Sequence, residues 1–149
     1  MGTGVYKSQG KKGFVNTIGS KREDVEYKGR NGKIFHYGDE YETIKKIDSI
    51  NAKIVKNKID LEARLPKDSL TPNRIYAVTV GNGNNSRIKS IGFLDKNGKT
   101  YKQIDLIGSS ADGPYPHVHL GYYHNENGYR TTLSKKEKRL VKIIENWRK

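Results

Sequence analysis

The chain has 149 residues and no cysteine, and its 29 Lys and Arg against 16 Asp and Glu leave a net charge of +13. That composition excludes disulfides and thiolate metal ligands; no apolar run approaches a membrane span, and no signal-peptide core follows Met1. A hydrophobic fraction of 33 % points to one modest core, and the charge excess to a polyanionic partner: nucleic acid, an acidic protein or an anionic membrane surface.

Residues 1–22, rich in Gly, Lys and Ser, read as a flexible basic arm, and 23–149 as a single domain. Asn31-Gly32 lies between Val25-Glu26-Tyr27 and Ile34-Phe35-His36-Tyr37, a hairpin signal, because the favoured two-residue turn needs positive φ. His36 there is a strand residue rather than a catalyst. From Asp39 to about Lys58 the isoleucines 44, 47, 50 and 54 recur at three- and four-residue intervals, which predicts an amphipathic helix. Ile59 to Leu65 alternates strictly and fits a strand or the helix running on. Pro66 and Pro72 then punctuate a loop.

From Arg74 onwards the period becomes that of strands: Arg74 to Val80, Arg87 to Leu94, Lys99 to Ile107, His117 to Tyr123 and a short one around Tyr129 to Thr131. Ser134 stands three residues before Glu137, a capping box. Leu140, Val141, Ile144 and Trp147 give the last helix one apolar face. The expected fold is α+β: an N-terminal helical region on a curved antiparallel sheet of about four to five strands, closed by a C-terminal helix.

Chemistry concentrates between Ile104 and His124, which holds three of the four histidines. In a strand with Val118, Leu120 and Tyr122 facing the core, His117 and His119 project together from the other face, spaced to flank one phosphate. Gly121 follows on that face and leaves room for a ligand. RNA cleavage by attack of a 2′-OH needs a base and an acid with pKa values near neutral, and histidine supplies both. Asp105 is placed to orient one imidazole. Ser109 and Ser110 offer donors to phosphate, Arg130, Lys102 and Arg87 offer positive charge, and Tyr123 completes the substrate-binding set. His124, beside the turn, is a weaker candidate. The rival chemistry is a zinc site of His117, His119 and Asp105 with an open fourth position. It ranks second, because neighbouring Lys and Arg would repel a cation.

Asp105, the Gly- and Pro-containing loop, Pro116-His117-Val118-His119 and the terminal helix together resemble the C-terminal toxin domains of bacterial polymorphic toxins. The likeness covers roughly residues 74–149. Ser109-Ser110-Ala111 departs from it where a histidine often stands. The resemblance implies a barnase/RelE-like ribonuclease fold, with one or two N-terminal helices on an antiparallel sheet that bears the active site. It also implies catalysis on Asp105, His117 and His119, and a dedicated acidic immunity protein. The expected function is thus a metal-independent endoribonuclease toxin without cofactor, a monomer delivered into a target-cell cytoplasm to act on RNA. The alternatives are a non-catalytic basic nucleic-acid-binding module and a zinc-dependent nuclease using the His-x-His pair.

Overall fold

A computed structural model describes residues 40–58, 63–108, 114–123 and 125–148, and the backbone of two short strands before them. Those two, β1 (Glu26–Lys28) and β2 (Ile34–His36), pair antiparallel with Glu26 opposite His36. The arm at 1–22, the Asn31-Gly32 turn and Ile59 to Glu62 lie outside the described residues. Seven strands form one sheet: β3 (Tyr41–Ile47), β4 (Ala52–Asn57), β5 (Ile75–Val80), β6 (Arg87–Leu94), β7 (Thr100–Asp105), β8 (His117–Leu120) and β9 (Gly128–Arg130). Their spatial order is β9-β8-β7-β6-β5-β4-β3, and every pairing is antiparallel except β4 with β5. The chain closes with α1 (Lys135–Glu145).

This overturns the expected N-terminal helical region and the count of four to five strands. The stretch predicted as helix, Asp39 to Lys58, contains β3, a 3-10 turn over Asp48–Ile50 and β4. Two features misled the periodicity. Asn51 adopts a left-handed conformation (φ 54°) that reverses the chain between Ile50 and Ile54. β4 is covered on both faces, with Ala52, Lys53, Ile54 and Val55 all buried, so it shows no alternation to read. The β-branched Ile54 and Val55 pack well on a pleated surface, and their cover on both sides lets that preference win.

Register partners sort the sheet into two faces. Ala77, Ile91, Ile104 and Val118 lie in one cross-strand row and meet Val141 and Ile144 of α1 in the larger core. Leu140 and Trp147 pack at its edge, so the apolar face expected for the helix is the one used. The other face holds Tyr41, Val55, Tyr76, Val78 and Leu94 beneath Ala63, Leu65 and Leu70. A parallel pair cannot be joined by a tight turn. The segment from β4 to β5 makes that crossover and is itself the cover. It is pinned by Ser69 N–H to the Gly98 carbonyl (2.9 Å), Thr100 N–H to the Lys67 carbonyl (3.0 Å) and a Ser69–Tyr76 hydroxyl pair (3.0 Å). Among the described residues no helix is long and apolar enough to cross a membrane.

At the start of α1 the Ser134 hydroxyl accepts from the Glu137 amide (3.1 Å), and Glu137 accepts from the Ser134 amide (2.8 Å). Ser134→Ala should therefore cost about 1 kcal/mol in a denaturant titration. An unchanged midpoint would show that the carboxylate alone caps the helix.

Candidate functional site

The second face changes character towards β9. One cross-strand row runs Val78, Ser90, Asp105, His117; the next runs Tyr76, Gly92, Gln103, His119, Tyr129. Where the crossover covers the sheet these rows are apolar or small, and beyond it they become polar. Direct register partners stand roughly 4.5–5.5 Å apart, so two aligned rows collect these groups on one patch, opposite α1.

Asp105 is the hub. Its Oδ1 accepts from the Ser90 hydroxyl (2.7 Å) and from the Gln103 amide (2.8 Å). Its Oδ2 faces two imidazoles, His119 Nε2 at 2.9 Å and His117 Nε2 at 3.3 Å. Burial disfavours the ionised carboxyl, but the Gln103 and Ser90 donors and then the two imidazoles outweigh it, and the Asp105 pKa lies below its ordinary value. The group is a carboxylate at neutral pH.

Both rings are fixed at their other nitrogen. His117 Nδ1 lies 3.0 Å from the Pro114 carbonyl, an oxygen that can only accept, so Nδ1 carries a hydrogen. His119 Nδ1 stands 2.6 Å from Asn125 Oδ1 and donates in the same way. Tyr115 covers His117 at 4.3 Å between ring centroids, and Tyr129 packs against both imidazoles at 5.4 Å. The Tyr115 hydroxyl passes so close to Gly108 that a Cβ there would stand 2.2 Å from it. The His117 side chain is 3 % exposed, against 14 % for His119 and 18 % for Asp105. Among the described residues the cluster is most exposed along the His119–Asp105 edge, beside the exposed ring of Tyr129.

The remaining candidates are distributed differently. Lys102 and Arg130 point to the opposite face, where both bind Glu137, at 3.0 and 2.8 Å. Arg87 is the exposed first residue of β6, paired with Val80. Tyr123 stands exposed in the loop after β8, edge-on to Tyr122 at 5.1 Å. Ser109, Ser110 and His124 lie outside the described residues. The alternation expected through Tyr123 ends earlier: Gly121 has φ +112°, and Tyr122 turns to donate its hydroxyl to Asp68 (2.9 Å). The space beside Gly121 is filled by Glu126, which would lie 2.8 Å from a Cβ there, rather than by a ligand.

Several members escaped the sequence reading. Gln103 was legible, since it sits two residues before Asp105 on one strand face. Ser90, Tyr129 and Asn125 reach the cluster only through strand register and loop closure, and no local pattern announces them. Compared with protein-family models, curated proteins and solved structures, the chain matches none.

Proposed function

We propose that this domain cleaves RNA at the Asp105–His117–His119 cluster. The observation that carries the reading is the convergence of two imidazole Nε2 atoms on one carboxylate oxygen, at 2.9 and 3.3 Å, on a partly open face of a +13 chain. Positive charge draws a polyanion to the surface, and Tyr129 offers a ring beside the cluster on which a base can stack.

The geometry supports a particular use of these groups. All four ring nitrogens are engaged, with Asp105, Pro114 and Asn125. The two histidines therefore work with Asp105 as one unit, rather than as an acid and a base on opposite sides of a phosphate. The unit takes the proton of the 2′-OH as that oxygen attacks phosphorus, and returns a proton to the 5′ oxygen as the P–O5′ bond breaks. Positive charge gathered at Asp105 Oδ2 stabilises the phosphate oxygens. The products are a 2′,3′-cyclic phosphate and a 5′-OH. The same proposal includes delivery as a toxin domain and capture by an acidic immunity protein, which the charge supports.

Total RNA incubated with the purified chain should be cut, and His119→Ala should slow the cut by about 10²–10⁴-fold. RNA bound with steep salt dependence but left intact would replace this reading with that of a non-catalytic basic module.

A further inference from the structure

We infer that Asp105 Oδ2, His117 Nε2 and His119 Nε2 bind one divalent transition-metal ion of the zinc class, with a fourth position along the His119–Asp105 edge that no other described ligand group fills. The inference rests on the site described above and deepens the ribonuclease reading by naming what charges the cluster.

The convergence of three donor atoms carries the inference. Each Nδ1 is held on an oxygen of its own, the Pro114 carbonyl for His117 and Asn125 Oδ1 for His119. That aims both Nε2 atoms at the one oxygen Asp105 Oδ2, at 3.3 and 2.9 Å. Two imidazole nitrogens and a carboxylate oxygen meeting at one point are a donor set for a divalent ion.

The surroundings are those of a ligand set. Metal-binding histidines characteristically donate their second N–H to a carbonyl or carboxylate, which fixes the ring and raises its basicity. Pro114 and Asn125 do this here. Ser90 and Gln103 occupy Oδ1, so Asp105 offers a single oxygen. The three ligand atoms lie within 4.8 Å of one another, and two nitrogens with one oxygen suit zinc and its neighbours better than calcium or magnesium. The objection from nearby Lys and Arg loses its force, because Lys102 and Arg130 lie on the other face and are tied to Glu137. An ion here would supply a Lewis acid and a water of lowered pKa at that fourth position.

The test is binding, independent of RNA cleavage. Chelator-stripped protein is titrated with Zn(II) by calorimetry and with Co(II) by visible absorption. One equivalent should bind, with the Co(II) band of a low-coordinate site. His119→Ala should weaken binding at least 100-fold, and Asn125→Ala, an exposed change outside the ligand set, about 10–100-fold. No binding, or a one-equivalent site untouched by His119→Ala, overturns the inference. RNA cleavage that persists in EDTA without metal binding would retain the ribonuclease and reject the metal. Metal binding without RNA cleavage would do the reverse.

Discussion

Asp105→Asn should reduce RNA cleavage by about 10³-fold while leaving the protein folded. The substitution preserves shape and reverses one polarity. The new amide oxygen can still accept from Ser90 and Gln103, which now bond Oδ1 at 2.7 and 2.8 Å. The new amide nitrogen takes the place of Oδ2 and can no longer accept from the imidazoles or hold a cation. The side chain keeps its size and shape, so the melting temperature should stay close to that of the wild type. What is lost is the negative charge that gathers positive charge at the cluster, and with it any means of stabilising phosphate. Gel assays of RNA cleavage, paired with thermal melts, check both halves. Turnover within a few-fold of wild type would remove Asp105 from the machinery; a collapsed fold would show its role to be structural.

Glu137→Ala should cost about 1–3 kcal/mol, because it removes a buried, fully hydrogen-bonded anion while its partners Arg130 and Lys102, 37 % and 19 % exposed, can turn to solvent. The carboxylate is 5 % exposed and accepts from Arg130 Nη2 (2.8 Å) and Nη1 (3.0 Å), Lys102 Nζ (3.0 Å) and the Ser134 amide (2.8 Å). It ties β7 and β9 to the first turn of α1, so its loss loosens the sheet edge that carries the cluster on its other side. The Arg130 hydrogen bonds, against the opposing effect of burial and with help from Ser134 and Lys102, hold its pKa far below the ordinary carboxylate value. A carboxyl depressed in the folded state contributes stability above its unfolded pKa, about 4.3, and that contribution is lost as pH falls through the folded value. Asp105 acts in the same direction. Wild-type stability should thus be flat from neutral pH to about 5 and fall steeply below about 4. Glu137→Gln should start lower and fall less steeply, so the two curves converge in acid. Parallel curves would mean that Glu137 is not ionised by this network.

The cluster shows how far a strand pattern reaches. His117 and His119 are on one face of a strand because their spacing puts them there, and Asp105 on the neighbouring strand was within reach of the same reasoning. The face they share with Ser90, Gln103 and Tyr129 depends on which residue of each strand stands opposite which. That register belongs to pairs of strands and is written in neither one alone. Lys102 and Arg130 illustrate the same point. Their charge is plain in the sequence, but alternation places them one residue out of phase with Gln103 and Tyr129, on the α1 face, where Glu137 takes both.

Elements whose signals are local were legible in the residues alone. Strong alternation marked the strands from Ile75 to Asp105, Asn-Gly and Gly-containing turns marked their ends, and the Ser134–Glu137 box with its apolar stripe marked α1. Two things waited for the folded chain: the state of Asp39 to Lys58 and the convergence of the cluster on Asp105. β4 is covered on both faces and loses its period of two, and exposed Ile44 on β3 joins Ile47, Ile50 and Ile54 in a spacing that imitates a helix. Likewise a histidine pair in a strand fits a proton relay or a metal centre equally well. Pro114 and Asn125, brought in by folding, fix both rings so that their Nε2 atoms meet at Asp105 Oδ2.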